Sequence, residues 1–256
     1  MDNSSVKLNV RNQFGKVAAN YATSQIHASG ADLQALVEAA NLTGQESVLD
    51  LGTGPGHVAM LLAPKAATLT GIDLSVTMLQ LAEQAAQDRQ IENISFKTGD
   101  AEHLPFDDQQ FDLVVSRFSG HHWPAPANVA KEIYRVLKPG GRVLIADIVN
   151  VQEFAVDTFL QSIEILRDPS HVRDYSICQW QQFLTAAGLQ SEVVFESGCE
   201  IDFESWVQRM ETPLNKVQVL RTMMNEASDE VVTALKIQTD GSFTEPIAII
   251  QGTKTR

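Results

Sequence analysis

Apolar and polar positions along this chain follow two periods, and the two take turns. Short apolar runs at Ser47–Leu51, Thr68–Asp73, Asn93–Lys97, Phe111–Ser116 and Arg142–Asp147 have the length of buried strands. Between them lie segments of helical spacing. His57–Leu62 is one; another is capped by Ser75 and puts Met78, Leu79 and Ala82 on one face. A third, Ala127–Leu137, is expected to stop at Lys138-Pro139-Gly140-Gly141. Strands alternating with helices predict βαβ units and a parallel sheet.

The flanks add helices and two further strands. Phe14, Val17, Ala18 and Tyr21 recur at i, i+3, i+4 and i+7, which predicts an amphipathic helix, and a second helix runs from a cap at Ser29 through Leu33, Leu36, Val37 and Ala40. Residues 151–188 read as mostly helical, closing on Gln179–Ala187 with Gly188 as the stop. Ser191–Glu196 reads as strand six, 203–236 as a helical insertion and Glu245–Thr253 as the last strand. We expect one domain over 1–256: a helical cover (1–44), a cofactor-binding core (45–150), and the remaining strands with their insertions (151–256).

The first strand runs into Asp50-Leu51-Gly52-Thr53-Gly54-Pro55-Gly56, and a helix follows. Glycines at such a turn let backbone approach a ligand, and the helix behind aims unpaired N–H groups at it. The dinucleotide fingerprint needs a glycine at the sixth position, where His57 stands. An NAD(P)-dependent oxidoreductase is therefore the weaker reading. Asp73, 23 residues after Asp50, ends the second strand, where a carboxylate can accept from a ribose diol. Asp100, in Gly99-Asp100-Ala101-Glu102, can accept from an exocyclic amine such as that of adenine.

Composition narrows the partners. Net charge is −13, with 19 basic and 32 acidic residues, which argues against a nucleic-acid partner and for a small molecule. No apolar run reaches the length of a membrane span, and no signal-peptide pattern opens the sequence. Two cysteines, Cys178 and Cys199, make no disulfide framework, so a cytoplasmic setting is expected.

The Asp50–Gly56 turn, Gly71-Ile72-Asp73-Leu74-Ser75-Val76-Thr77-Met78-Leu79, Gly99-Asp100-Ala101-Glu102-His103-Leu104-Pro105-Phe106 and Leu137-Lys138-Pro139-Gly140-Gly141 stand in order over about residues 45–147. In this they resemble the class I S-adenosylmethionine-dependent methyltransferases, in the ubiquinone/menaquinone-biosynthesis-like branch. Arg167–Arg173, Ser205-Trp206, Ala227–Glu230 and Ile249–Gly252 extend the likeness to a YcgJ-type bacterial subgroup. The resemblance implies an α/β fold: a doubly wound, seven-stranded mixed sheet with the last strand antiparallel beside the fifth. It implies methyl transfer from S-adenosyl-L-methionine to a small-molecule acceptor, leaving S-adenosyl-L-homocysteine, in a monomer or homodimer. A protein that binds the cofactor without turnover would carry the same motifs.

Carried onto this chain, the resemblance puts cofactor contacts at Asp50, Gly52, Thr53, Gly54 and Gly56, at Asp73, Leu74 and Met78, at Asp100 and Ala101, and at Ser116 and Arg117. Met78 fits a core position equally well. Tyr21 and His27 fall where the family's N-terminal segment covers the cofactor. His121 and His122 follow strand four in a loop that lines the methyl-transfer cavity in the family. Either is a candidate general base, with packing as the competing role. Adjacent histidines without further spaced ligands make a poor metal site, and no metal is expected.

Overall fold

A computed structural model describes residues 4–255, apart from the side chains of Ser4, Gln25 and His27. Seven strands form one sheet: β1 Ser47–Leu51, β2 Thr68–Asp73, β3 Ile94–Thr98, β4 Phe111–Arg117, β5 Leu137–Ile148, β6 Leu189–Ile201 and β7 Phe243–Lys254. Their order is β3-β2-β1-β4-β5-β7-β6. The first five run parallel, while β7 pairs antiparallel with both β5 and β6. The doubly wound, mixed sheet expected from the sequence is the one observed.

Alternate residues of the central strands feed opposite faces. Leu49, Leu51, Val114 and Ile145 join Val129, Ile133 and Trp180 on one side. Val48, Leu113, Val115 and Leu144 join Leu33, Leu36, Val58 and Leu62 on the other. Burial on both faces is why these strands read as unbroken apolar runs.

The helices are α1 Ser4–Ala22, α2 Gln25–Ala28, α3 Ala31–Ala40, α4 His57–Leu62, α5 Val76–Asp88, α6 Pro126–Val136, α7 Phe154–Arg167, α8 Ile177–Ala186, α9 Phe203–Arg209, α10 Leu214–Asn225 and α11 Asp229–Leu235. Ser75 caps α5 by accepting from the Met78 amide, and Ser176 closes a capping box on α8. The α7, α9 and α10 segments bury Leu160, Ile163, Trp206 and Leu220 with Phe243 and Ile247 of β7, a third core at one end of the sheet. None of the described helices is long and apolar enough to cross a membrane.

Several boundaries differ from the sequence reading. Gly30, not Ser29, stands at the N-cap of α3. Helix α6 ends at Val136, because Leu137 is already extended and pairs with Phe111. Lys138–Gly141 therefore opens β5 rather than closing a helix, with Gly140 at φ 82° where the register shifts. Strands β6 and β7 outrun their apolar stretches, since an antiparallel edge ladder alternates polar and apolar residues.

Candidate active site

Strand order reverses between β1 and β4, so the loops leaving their C-terminal ends part and open a crevice. A cleft of about 1010 Å³ lies there. Along its floor the strand order lines up the residues that follow β3 (Asp100, Ala101), end β2 (Asp73), follow β1 (Gly52–Gly54) and end β4 (Arg117). Helix α1 supplies the cover through Lys7, Val10, Phe14 and Tyr21.

The glycine turn is held by carboxylates. Asp73 accepts from the Gly54 amide through Oδ2 at 3.0 Å and from the Ser75 amide through Oδ1 at 2.8 Å. One side chain thereby ties the β1–α4 turn to the start of α5, and each oxygen retains lone pairs for a ligand. Burial raises the Asp73 pKa, with the Ser75 and Gly54 amides opposing. Asp50 accepts from the Thr53 hydroxyl at 2.7 Å, and burial lifts it to about 7 against that hydrogen bond, with help from the Asp73 charge. Gly54 sits at φ 54°, and a Cβ there would meet no atom within 4 Å. Its open side faces the cleft it lines, a cradle that a side chain would fill.

Not every residue assigned from the motifs lies on this floor. A Cβ on Gly56 would meet Met60 and Ala82 at 3.0 and 3.2 Å, so this glycine serves helix packing behind the turn. The Ser116 hydroxyl is buried and donates to the Leu51 carbonyl at 2.9 Å, stitching β4 to β1 away from the cleft. Met78 is buried with Val17 and Tyr21 and also lines the cleft. Leu74, Thr53 and Gly52 line it as expected. His27 stands on α2, and its side chain lies outside the described residues.

Charges come from far along the chain. Lys7 donates to Asp100 at 2.7 Å and lies 3.0 Å from Glu102, joining α1 to the loop after β3. Burial alone would raise Asp100; the hydrogen bonds from Lys7 and the Glu102 amide hold it below the usual carboxylate range. Arg117 donates to Asp32 at 2.5 Å and to the Ile26 carbonyl at 3.0 Å, and its guanidinium lies 4.3 Å from the Phe118 ring centre.

The two loop histidines occupy different surroundings. Gly120 has no room for a Cβ, which would meet Trp180 at 2.6 Å and Asp147 at 2.7 Å. Its tight packing presses a short 3₁₀ turn, Gly120–His122, against the end of β5. Asp147 accepts from the His121 amide at 3.1 Å and from its Nδ1 at 2.7 Å. Burial would lower the His121 pKa, but the Asp147 charge and hydrogen bond raise it to about 9, so an imidazolium stands there at neutral pH. His122 Nδ1 lies 3.1 Å from the Ser170 carbonyl, which only accepts, so that nitrogen carries the proton and Nε2 is the basic one. Burial, then the charge of His121, lowers His122 to about 3. A rate inflection at pH 6–7, the ordinary sign of a histidine base, is not what this pair gives.

A second cavity of about 530 Å³ lies beside the cleft, and Phe14, Tyr21, Phe118 and His122 line both. His121 borders only the second. Glu164 of α7, Asp174, Arg167, Arg209 and Glu245 of β7 also reach it, a set with no local motif in the sequence beyond the Arg167–Arg173 run.

A parallel sheet reversing at a glycine turn, with an acid at each neighbouring strand end, is the arrangement of a nucleoside-cofactor enzyme. The family model of the methyltransferase domain matches residues 42–194, and this chain belongs to that family. It is similar to the uncharacterized methyltransferase YcgJ of Bacillus subtilis (strain 168), 33% identical across 94% of this chain and 97% of the relative. It also resembles the demethylmenaquinone methyltransferase of Thermotoga maritima, 33% identical across 62% of this chain and 72% of that one. The crystal structure of YcgJ from Bacillus subtilis superposes with a TM-score of 0.84 over 88% of this chain and 98% of that one, at 33% identity. The protein is an S-adenosylmethionine-dependent methyltransferase, and the nicotinamide alternative falls away.

Three outcomes test this geometry. Asp73→Ala should weaken S-adenosylhomocysteine binding by about 1–3 kcal/mol, since it removes a charged acceptor and frees the Gly54 amide; unchanged affinity by calorimetry would move the ribose elsewhere. Gly54→Val should lose cofactor binding, together with about 1–2 kcal/mol of stability from a left-handed backbone. A folded variant that binds normally would refute the cradle. Finally, His121 is raised on folding from about 6.5, so its ion pair stabilises fully below that value and its contribution is lost as pH rises through about 9. Urea titration of His121→Gln against wild type should show the widest stability gap near pH 6 and a narrower one above about 9; a pH-independent gap contradicts the ion pair.

Proposed function

We propose that the enzyme methylates a small-molecule acceptor bound in the second cavity, with the donor lying along the strand ends of the first. The observation that carries this reading is the shared wall of Phe14, Tyr21, Phe118 and His122. Two adjoining chambers with four common residues suit a reaction in which one carbon crosses from one ligand to the other. Asp73 takes the ribose hydroxyls, and Leu74, Asp100 and Ala101 flank the adenine. The glycine turn, with Asp50, Thr53 and Arg117, holds the amino-acid end, and Tyr21 and Met78 close over it.

The cofactor supplies a methyl group already activated on sulfur. The chain then has to position the acceptor, exclude water and dispose of a proton. In-line positioning is worth up to about 7–11 kcal/mol when ideal. Small acceptors are favoured by the cavity's size and by an acidic surface that repels polyanions.

His122 is the histidine at the wall. Its Nδ1–H is anchored on Ser170, and burial with the charge of His121 lowers it to about 3, so it is a weak base that orients an acceptor as a neutral hydrogen-bonding group and does not hold the proton. Incubation with a metabolite pool should release S-adenosylhomocysteine, and absence of turnover with every fraction would favour a non-catalytic binder. With an active acceptor, His122→Ala should cut kcat by about tenfold, the loss of one orienting hydrogen bond, while S-adenosylhomocysteine affinity stays within a few-fold. The wild-type rate should show no inflection between about pH 6 and 7. Full activity in His122→Ala would make the residue a packing element between Phe14 and His121, whose ring centres lie 4.8 and 4.2 Å away.

A further inference from the structure

The second cavity is walled by ionisable side chains, and three of their buried atoms have no hydrogen-bond partner: Glu245 Oε1, Asp174 Oδ2 and Arg209 Nε. Asp174 is 1% exposed and Glu245 4%. Leaving such groups unpaired costs about 1–3 kcal/mol each, so a native fold that keeps three around one cavity calls for a ligand. Two of the atoms accept and one donates. Other atoms around the cavity are engaged: Arg167 donates to the Trp206 carbonyl at 3.2 Å and pairs with Glu164 at 3.4 Å, and the Glu245 carboxyl and Arg209 guanidinium also meet Glu164 and Tyr21, respectively, which leaves Oε1 and Nε without a partner. His171 Nε2 is 3.7 Å from Asp174 Oδ2 and bonds instead to Gln161 Oε1 at 3.1 Å. Among the described residues no group of three or more His, Cys, Asp or Glu is arranged to hold a metal ion.

Taking this cavity as the acceptor chamber, as proposed above, we infer that the acceptor is a small zwitterion, an amine and a carboxylate on one frame. The amine lies against Glu245 and Asp174, the carboxylate against Arg209. Charge balance separates this from the alternatives. Glu164 and Arg167 neutralise one another, which leaves Glu245 and Asp174 to face an ammonium and Arg209, with the His121 imidazolium nearby, to face a carboxylate; a ligand carrying one charge alone leaves the other set unmatched. A zwitterion adds no net charge and sets each of its ends against the opposite sign. Burial and then the charge of Glu164 raise both Glu245 and Asp174, against the opposing charge of Arg167 on the first and of His121 and Arg173 on the second. An arriving ammonium stabilises their ionised forms and releases protons to solvent.

In the transfer, the ammonium first gives one proton to a carboxylate of this pair. The freed nitrogen lone pair then forms the N–CH₃ bond as the methyl–sulfur bond breaks and its electron pair stays on sulfur. The products are a methylated ammonium, S-adenosylhomocysteine and one proton.

The test uses matched trios: phenylalanine, phenethylamine and phenylpropionate; leucine, isoamylamine and isocaproate; and shorter equivalents, with catechol as a phenolic control. Each is titrated calorimetrically into the full-length protein saturated with S-adenosylhomocysteine. At least one amino acid should bind at millimolar concentration or better while its amine-only and acid-only partners do not. Glu245→Gln and Arg209→Met should each weaken that binding by about tenfold or more, the loss of one charged hydrogen bond. Unchanged S-adenosylhomocysteine affinity in Glu245→Gln and an unchanged melting temperature in Arg209→Met certify the fold. Cys199→Phe, which fills the second cavity without touching the first, should abolish it. If no amino acid binds, or if an amine alone or catechol binds equally well and is blocked by Cys199→Phe, the zwitterion is wrong although the acceptor chamber stands. If an acceptor found by turnover is indifferent to Cys199→Phe, the chamber itself has been misassigned.

Discussion

The wall between the two cavities depends on the carboxylate of Asp147. At the end of β5 it accepts from the His121 amide and imidazole and from the Ile148 amide, three donors on one side chain. The charged imidazole is worth more there than in water because Asp147 is buried and His121 largely shielded. That pairing fixes the 3₁₀ turn, and the turn carries His122 into the wall. The His121 carbonyl then accepts the amides of Val172 and Arg173, so the 168–176 loop takes its place from the same point. Asp174 of the second cavity belongs to that loop. A single buried ion pair thus orients the loop after β4, the loop after α7 and the boundary between the two chambers.

The same economy operates on the donor side. Asp73 is a strand-end acid that shapes the empty turn through Gly54 and Ser75 before any ligand arrives. Preorganisation of this kind lowers the ordering cost of binding. Its cost is concentrated acidity. Burial, with the Asp73 charge added, raises Asp50 to about 7. A ligand that brings positive charge to the turn relieves that repulsion. The site is therefore matched to a cationic donor on electrostatic grounds, beyond its match in shape.

Much of this was legible in the sequence because the donor side is built locally. Gly52–Gly54, Asp73, Asp100 and Arg117 each sit at a strand end, and strand ends can be read from short apolar runs. Gly56 and Ser116 show the limit of such reading. Both stand in the right place along the chain, yet one packs α4 against α5 and the other joins β4 to β1. Spacing cannot distinguish a glycine that clears room for a ligand from one that clears room for Met60. Lys7, Asp32 and Glu102 were invisible as site residues for another reason, since their partners lie tens of positions away.

The acceptor side had no comparable signal. Its charged residues are spread from Glu164 to Glu245, come from helices, a loop and a strand, and meet only because β7 inserts between β5 and β6. A charged residue in a sequence is by default a solvated one, and each of these reads that way alone. Only folding reveals that Asp174 and Glu245 are desolvated with oxygens unpaired. Stability selects against such groups, since each could be replaced by an apolar side chain at a gain. Their retention in a buried cavity beside the methyl-transfer wall is therefore best explained by the ligand they meet. The donor half follows a motif because its ligand is shared across the family. The second cavity, which we propose holds the acceptor, carries no shared motif, and its residues are brought together by tertiary contacts alone.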